Sequence, residues 1–209
     1  MRLLVTGASG FIAKSFIKYS LKKNIQIIAI SKRKKVYSHK NLKWIKGQFS
    51  KCNLKSIGKF DILVHFASYG TKPNDRNNLK QNFKINVFNS KDLILSAIKN
   101  NCKKFVIISS SSEFGTKNIK PYGVKKNDFK IPNDSYGLSK LIIANIARNY
   151  SKKYKCKFRI MRLFPVYGDG EHPKRIYSTI KKCSNKNKNL FLKNPFEIRD
   201  FNHINFIVK

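Results

Sequence analysis

The sequence predicts an α/β protein built on a doubly wound parallel sheet, and two features of the chain support this fold class. Short apolar segments, typical of strands buried on both faces, alternate with longer segments whose apolar residues are spaced as on one face of a helix. A turn that contains Gly7 and Gly10 joins the first strand to the first helix. Because strands connected through helices run parallel, the alternation predicts a parallel sheet with helices on both faces.

The predicted elements cover most of the first 165 residues. Strands are expected at residues 3–5, 25–30, 44–45, 61–67, 104–109 and 158–163. Helices are expected from Phe11 onward, over residues 82–100 and over residues 135–154. In the two longer helices the apolar residues spaced for burial are Ile85, Phe88, Leu93, Leu95, Ile98, Leu138, Leu141, Ile142, Ile146 and Tyr150. The pattern weakens after Gly168, so we predict one domain at residues 1–165 and a small second part at residues 166–209.

The first strand and its turn, residues 1–13, predict a phosphate-binding site. A strand, a glycine turn and a helix in this order present free backbone N–H groups at the helix start, where negative charge is favoured. Gly7 can take backbone angles that other residues cannot, and Gly10 allows a pyrophosphate to approach the backbone closely. The alternative is a tight turn between strand and helix that binds no ligand.

The chain is strongly basic, with 45 lysine and arginine residues against 10 aspartate and glutamate residues and a formal net charge of +35 at pH 7. Such a charge is typical of proteins that bind polyanions. The excess, however, is mostly lysine spread along the whole sequence among asparagine and isoleucine residues, all of which have A/T-rich codons. We therefore expect no specific nucleic-acid partner, and only weak, salt-sensitive binding to DNA or RNA.

Cysteine usage and hydropathy bear on the compartment. Cys52, Cys102, Cys156 and Cys183 are widely separated and lack the spacing of a metal site, so free thiols and no metal ion are expected. No apolar run reaches the length of a membrane span, and the chain begins on its first strand, so neither a membrane anchor nor a secretory signal is expected. These features predict a cytoplasmic protein.

Three groups of polar residues stand at strand ends or at a helix start. Tyr136 and Lys140 share one face of the predicted helix, where an ammonium group is expected to lower the pKa of the phenol and make Tyr136 a general acid or base. Serines 109–112 follow the fifth strand, at the sheet edge where ligands bind in this fold class. His65, inside an apolar strand, is more typical of a core residue. The alternatives are a surface tyrosine beside a solvated lysine, and a serine turn that only caps backbone groups.

Seven motifs in a fixed order give the chain a family resemblance. They are TGASGFIA at residues 6–13, DILVHFA at 61–67, INV at 85–87, SSSSEFG at 109–115, YGLSK at 136–140, RLFPVYG at 162–168 and RDF at 199–201. In this order they resemble the extended short-chain dehydrogenase/reductase family, in its group of nucleotide-sugar epimerases, dehydratases and reductases. The resemblance implies a Rossmann fold, an NAD(P) cofactor and a nucleotide-diphosphate sugar as substrate.

The resemblance also implies roles for individual residues. The implied catalytic residues are Ser110, Tyr136 and Lys140, and Lys140 would also bind the nicotinamide ribose. The implied cofactor contacts are Gly7, Gly10, Phe11, Ile12, Ala67 and Lys140. The implied substrate contacts are Ser111, Tyr167, Arg175 and Arg199, where the two arginines suit a diphosphate.

Some positions depart from the family pattern. Gln48 stands where an acidic residue usually lies near the adenine, and Pro165 replaces an asparagine that often contacts the sugar nucleotide. Ser111 and Ser112 stand where sugar dehydratases have an acid pair, which disfavours dehydration. The chain also ends soon after residue 201, where family members usually continue. We therefore expect a short, truncated substrate-binding part, and a dinucleotide bound better than a sugar nucleotide.

The expected reaction is reduction of a 4-keto nucleotide sugar, because EFG at residues 113–115 resembles the EYG of such reductases. The alternatives are a C4 epimerase and a truncated, inactive relative that binds a dinucleotide. Ser31, Lys32 and Arg33 follow the second strand in place of the acid that binds the ribose of NAD. Because an arginine suits a 2′-phosphate, NADP is slightly favoured over NAD. A homodimer is a further expectation.

Overall fold

The computed structural model describes residues 1–32, 37–115, 123–192 and 198–209, and a parallel sheet is its central feature. Within these ranges the sheet has six strands, namely β1 (Arg2–Thr6), β2 (Gln26–Ser31), β3 (Leu42–Lys46), β4 (Ile62–His65), β5 (Lys104–Ser110) and β6 (Lys157–Leu163). Their order is β3-β2-β1-β4-β5-β6, and all adjacent pairs are parallel. The predicted doubly wound parallel sheet is confirmed.

Helices connect the strands and cover the sheet. The longer ones are α1 (Phe11–Lys22), α4 (Ser90–Lys99), α5 (Ser135–Lys153) and α6 (Ile176–Ser184), and the single-turn ones are α2 (Leu54–Ile57), α3 (Leu79–Asn82) and α7 (Ile204–Ile207). Short 3₁₀ turns lie at Phe49–Lys51, Pro73–Asp75 and Ser111–Glu113. A two-stranded parallel sheet of β7 (Val166–Tyr167) and β8 (Asn202–His203) lies in the part predicted as residues 166–209.

The helical stretch predicted at residues 82–100 is not uniform. It begins earlier, with α3, and continues through a π-helical segment, Phe83–Asn89, before α4. At the end of this segment the Ser90 hydroxyl donates a hydrogen bond to the Ile85 carbonyl oxygen at 3.0 Å. Such widened turns are found often at functional sites. Apolar spacing cannot show them, because it records burial and not the hydrogen-bond pattern of the backbone.

The sheet is buried on both faces because successive residues of each strand point to opposite sides. On one side Leu4, Ile28 and Leu63 pack in a cluster that includes residues of α4 and α5. On the other side Leu3 and Val5 pack with residues of α1. The central strands β1, β2 and β4 therefore need a nearly continuous apolar sequence, whereas the edge strands β3 and β6 include exposed residues.

Two of the residues expected to be buried are exposed instead. Phe88 is 53% exposed and Leu138 is 38% exposed. The inward face of α5 is formed by a different set, Tyr136, Ser139, Lys140, Ile143, Ala144 and Ala147. Three of these inward residues are polar, so apolar periodicity could not identify the buried face of the helix.

The other general expectations concern thiols, metal ions and membranes. All four cysteines are free. The described residues contain no group of three or more His, Cys, Asp or Glu side chains that could hold a metal ion. Across the same residues, every helix is too short or too polar to cross a membrane.

His65 ends β4 as a buried, hydrogen-bonded core residue, as the apolar strand around it indicates. The Thr6 hydroxyl lies 2.6 Å from its Nδ1, and the Ser90 hydroxyl lies 2.8 Å from its Nε2. Because Ser90 donates its own proton to Ile85, we assign the ring proton to Nε2. Burial, together with the charge of Lys140, lowers the pKa of His65 to about 3, so the ring is neutral in the folded chain.

This neutral histidine makes a prediction for stability against pH. The unfolded chain takes up a proton on His65 as the pH falls through 6.5, whereas the folded chain does so only near 3. The unfolded state therefore binds more protons between these values, and stability is lost as the pH falls. We expect the wild type to lose about 2 kcal/mol of unfolding free energy through this group between about pH 7.5 and about pH 5.

Urea unfolding of the variants His65→Gln and His39→Gln checks this prediction. His65→Gln removes the titrating ring and is expected to lose that part of the pH dependence. His39 is exposed, so His39→Gln is expected to keep the wild-type profile. Identical pH profiles for wild type and His65→Gln would contradict the assignment.

Candidate functional site

The candidate site lies at the carboxyl ends of β1, β4 and β5, where the strand order of the sheet changes direction. In open α/β sheets this crevice is the usual place for a ligand. Gly7 follows β1 with a φ of +67°, and a Cβ there would lie 2.6 Å from the Ala67 backbone nitrogen after β4. Only glycine fits this close approach. Ala67, one of the predicted cofactor contacts, thus forms one wall of the turn.

Gly10 has a different role from Gly7. It precedes α1 with a φ of −71°, so its backbone angles do not require glycine. A Cβ at Gly10 would contact only the Gly7 carbonyl oxygen, at 3.2 Å. Among the described residues no side chain caps this helix start, and the first turn of α1 contains no acidic residue. The open space and the positive end of the helix fit a bound phosphate group.

Phe11 and Ile12 begin α1 and are half-buried. Their side chains pack against the small cluster of Val166, Ile204 and Val208, so they hold the second part of the chain against α1. Their predicted contact with a cofactor remains a prediction.

Tyr136 lies in the first turn of α5, which Asp134 caps by accepting a hydrogen bond from the Gly137 backbone N–H at 2.7 Å. The ring is buried. Its hydroxyl hydrogen-bonds the side chains of Ser110, at the end of β5, and Ser68, after β4. The fold therefore brings Ser110 next to Tyr136, as the resemblance implied.

Lys140 lies one turn further along α5, and its Nζ is 6.0 Å from the centre of the Tyr136 ring. Its ammonium donates a hydrogen bond to the Ile108 carbonyl oxygen at 2.6 Å. Burial lowers the pKa of Lys140 to about 8, and the nearby charge of Glu113 partly opposes this shift. Lys140 is thus a buried cation held on the backbone of β5.

The prediction that Lys140 lowers the pKa of Tyr136 is wrong for this structure. Burial raises the pKa of the phenol, since a phenolate is poorly solvated inside the protein. The contributions that lower it come, largest first, from the Ser110 hydrogen bond, the charge of Arg76, the Ser68 hydrogen bond and the charge of Arg175. The cations that favour the phenolate are therefore arginines distant in sequence.

The four serines after β5 have different environments. Ser109 is buried and donates to the Glu113 carboxylate, so it points into the core and not to the site. Ser110 donates to the Ser112 hydroxyl at 3.0 Å and accepts from the Ser112 backbone N–H at 3.1 Å. Ser111, predicted to contact the substrate, is half-buried, and its carbonyl oxygen accepts from the Phe114 backbone N–H.

Sequence reasoning missed three polar residues that shape the site. Glu113 is fully buried, and its carboxylate accepts a hydrogen bond from Arg162 Nε at 2.7 Å. Asn86, in the π-helical segment, accepts from the Tyr69 backbone N–H at 2.8 Å and donates to the Ser139 hydroxyl at 2.9 Å. Arg76 contacts the Tyr136 ring with its guanidinium carbon at 4.8 Å. The INV motif contains Asn86 and the SSSSEFG motif contains Glu113, so these two motifs were the available signals.

The predicted substrate contacts are only partly brought together. Arg175 donates to the Thr71 carbonyl oxygen at 3.5 Å, and its charge acts on Tyr136, so it faces the site. Tyr167 packs its ring against Tyr177 and His203, with ring centres 5.3 and 5.2 Å apart. Arg199 is exposed, just before β8.

Arg33, predicted to select the cofactor, lies outside the described residues. The end of β2 is described, and there Ser31 is buried and its carbonyl oxygen accepts from the Gly47 backbone N–H at 2.8 Å.

The sheet, the glycine turn and the placement of Tyr136 and Lys140 define a Rossmann-type α/β protein of the extended short-chain dehydrogenase/reductase kind. A model of the NAD dependent epimerase/dehydratase family matches residues 3–209. The chain belongs to this family.

Individual relatives are distant in sequence. The chain is 26% identical over 226 residues to an uncharacterized UDP-glucose epimerase, YtcB, of Bacillus subtilis (strain 168), covering 100% of this chain and 71% of that protein. It is 24% identical over 181 residues to a dTDP-4-dehydro-6-deoxyglucose reductase of Escherichia coli, covering 81% of this chain and 57% of the reductase. The chain therefore spans less than two thirds of the length of that reductase.

A solved structure agrees with the fold over the whole chain. The UDP-glucuronic acid 4-epimerase of Bacillus cereus, in complex with UDP-glucuronic acid and NAD, superposes with a TM-score of 0.86 at 23% sequence identity. The superposition covers 100% of this chain and 71% of the epimerase.

The two glycines of the turn give a matched prediction. Gly7→Ala forces a Cβ onto the backbone of Ala67 at a positive φ, and we expect it to lower the free energy of unfolding by about 3 kcal/mol. Gly10→Ala adds one tight contact at an ordinary φ, and we expect a loss below about 1 kcal/mol. Urea unfolding of both variants is the measurement. Equal losses would show that the close approach of β1 and β4 is not what requires glycine.

Proposed function

We propose that the chain is an NAD(P)-dependent oxidoreductase or epimerase of a nucleotide-diphosphate sugar, and that its reaction is the reduction of a 4-keto sugar. The observation that carries the proposal is the group formed by Ser110, Tyr136 and Lys140 at the carboxyl edge of the sheet, beside the turn of Gly7 and Gly10. A hydroxyl pair next to a phosphate-binding turn suits a carbonyl group held near a dinucleotide.

The chain's own residues supply the proton and the orientation. A phenol with the ordinary pKa of 10.0 is protonated at neutral pH, and burial raises the pKa of Tyr136 further, so it can donate a proton to the carbonyl oxygen as that oxygen becomes an alkoxide. The Ser110 hydroxyl can hydrogen-bond the same oxygen, since it already lies against the Tyr136 hydroxyl. A bound reduced nicotinamide dinucleotide would supply the hydride for the carbonyl carbon.

The fit to a dinucleotide rests on the glycine turn and on Lys140. The open face of Gly10 and the N-terminus of α1 would hold the pyrophosphate. Lys140 would hold the nicotinamide ribose with its ammonium group, which the Ile108 carbonyl positions. Arg175 faces Tyr136 and would bind the diphosphate of the sugar nucleotide, as would Arg199.

A C4 epimerase is the second candidate. It uses the same tyrosine and the same cofactor but returns the hydride to the same sugar. The names of the Bacillus subtilis and Bacillus cereus proteins favour this reaction. A reductase consumes one reduced dinucleotide for each sugar, whereas an epimerase interconverts two sugars with no net change in the dinucleotide. An inactive relative would bind the dinucleotide and do neither.

The proposal extends to the protein's location and assembly. Free cysteines suit a reducing compartment, which supports the cytoplasm. Phe88 in the π-helical segment and Leu138 on α5 are large apolar side chains exposed at the surface, and they support a homodimer.

Replacing the tyrosine tests the proposed chemistry. Tyr136→Phe keeps the buried ring and removes only the hydroxyl, so we expect the fold and dinucleotide binding to survive. Turnover of a 4-keto nucleotide sugar, or interconversion of C4 epimers, is expected to fall by about two to four orders of magnitude. Product analysis together with the absorbance of the reduced nicotinamide separates reductase, epimerase and inactive protein.

Lys140→Ala and Tyr150→Phe complete this experiment. Lys140→Ala is expected to weaken both turnover and dinucleotide affinity. Tyr150→Phe is the matched control because it removes a hydroxyl on the same helix, away from Ser110, and is expected to leave turnover unchanged. Normal activity in Tyr136→Phe would refute the proposed role.

The choice of dinucleotide makes a separate prediction. We propose a preference for NADP(H), supported by the sequence Ser31-Lys32-Arg33 after β2, where no acid is available for the ribose. Arg33→Ala is expected to weaken NADP binding about tenfold and to leave NAD binding unchanged, because only the 2′-phosphate loses a partner. Lys22→Ala, at the far end of α1, is the control. Calorimetry that finds equal dissociation constants for the two dinucleotides would contradict the preference.

A further inference from the structure

Arg76 connects three segments around the candidate site. Its Nε donates to the Asp134 carboxylate at 2.6 Å, before α5, and its Nη2 donates to the Ser112 hydroxyl at 2.9 Å, after β5. Its backbone carbonyl oxygen accepts from the Tyr136 backbone N–H at 2.9 Å and from the Ser135 hydroxyl at 2.7 Å. The main chain and the side chain of Arg76 therefore both fix the first turn of α5.

The guanidinium group also lies against the phenol ring. Its central carbon is 4.8 Å from the centre of the Tyr136 ring, which is within the range of a cation–π contact. The group is held there on both sides, by Asp134 and by Ser112. Ser112 in turn accepts a hydrogen bond from Ser110, so the cation stands at the end of a hydroxyl chain that leads to Tyr136.

The other groups around Tyr136 differ from Arg76 in their distance from the ring or in their charge. Lys140, on the same helix, is 6.0 Å from the ring centre, and its ammonium is bonded to the Ile108 carbonyl. Arg175 acts from the segment before α6, and Ser68 and Ser110 are uncharged hydrogen-bond partners. Glu113 lies behind the site, paired with Arg162. The arginine in direct ring contact is thus Arg76, with Asp134 as its counter-charge.

We propose that Arg76 is a positioning residue that orients the Tyr136 phenol and favours its ionised form. The inference rests on the proposed function for its catalytic consequence, but not for the geometry. A fixed cation next to a buried phenol stabilises the negative charge that the phenol acquires when it gives up its proton. Because Arg76 comes from the loop before α3, the proton chemistry of Tyr136 depends on a segment that the Tyr-Lys motif does not include.

The test is the titration of Tyr136 in the full chain labelled with ¹³C at the tyrosine ζ carbon. The Tyr136 signal is identified by its loss in Tyr136→Phe. In Arg76→Gln, which keeps a side-chain N–H donor but removes the charge, the pKa of Tyr136 is expected to rise by about one unit. In Arg76→Lys, which keeps the charge but loses the planar fork, about half of that rise is expected. Arg148 is an exposed arginine on α5, the helix of Tyr136, and in Arg148→Gln the pKa of Tyr136 is expected to equal that of the wild type.

Circular dichroism confirms that each variant is folded across the pH range. If Arg76→Gln does not fold, Ser112→Ala replaces it, since it frees Nη2 and is expected to raise the same pKa by a smaller amount. The inference is overturned if the pKa of Tyr136 is equal in the wild type and in the folded Arg76 or Ser112 variants. It is also overturned if Tyr136 stays protonated over the whole range in which the wild type is folded.

Turnover measured on the same proteins separates this inference from the proposed function. Where the proposed function holds, the pH profile of turnover in Arg76→Gln is expected to move with the titration, and the rate at neutral pH to fall about tenfold with little change in KM. A shifted pKa of Tyr136 with no turnover of any nucleotide sugar supports the positioning role of Arg76 and contradicts the proposed function. An unshifted pKa of Tyr136, together with turnover that Tyr136→Phe abolishes, contradicts only the positioning role of Arg76.

Discussion

The close approach of two strand ends is the constraint on which the site depends. Gly7, after β1, lies so near the backbone of Ala67, after β4, that no side chain fits between them. This contact lies between the ends of β1 and β4, where the strand order of the sheet changes direction, and it determines the position of the turn from which α1 begins. A wider gap would move the start of α1 away from β4 and would separate the glycine turn from Ser68 and Tyr136.

The second constraint is that α5 turns polar residues inward. Tyr136, Ser139 and Lys140 are buried, and each is satisfied by a partner from another segment, namely Ser110, Asn86 and Ile108. Burying a polar group without a partner costs about 1–3 kcal/mol, so the helix can hold this face inward only because β5 and the π-helical segment supply partners. The fold and the site are therefore stabilised by the same hydrogen bonds.

The sequence predicted those features that local pattern controls. Strand periodicity identified the sheet. The glycine turn and the Tyr-Lys spacing named residues of the candidate site that lie near one another in the structure, and their roles stay predictions. Long-range pairs could not be predicted. Arg162 and Glu113 are 49 residues apart, and Arg76 and Asp134 are 58 residues apart, so no spacing rule connects them. The buried face of α5 was also missed, because its polar residues interrupt the apolar pattern that marks burial elsewhere.

The distribution of charge explains how a very basic chain forms this site. Of its 10 acidic residues, Asp134 caps α5 and holds Arg76, Glu113 pairs with Arg162, and Asp61 accepts from the Arg2 backbone N–H. These three acids are paired within the structure, and Asp134 holds Arg76 against the Tyr136 ring. Beside Tyr136, the charges of Arg76 and Arg175 favour the ionised phenol and so partly offset the effect of burial. The lysine excess is spread along the whole chain, whereas Arg76 is held beside the Tyr136 ring by Asp134 and Ser112. This fixed geometry is what distinguishes a local field on one side chain from a general attraction for anions.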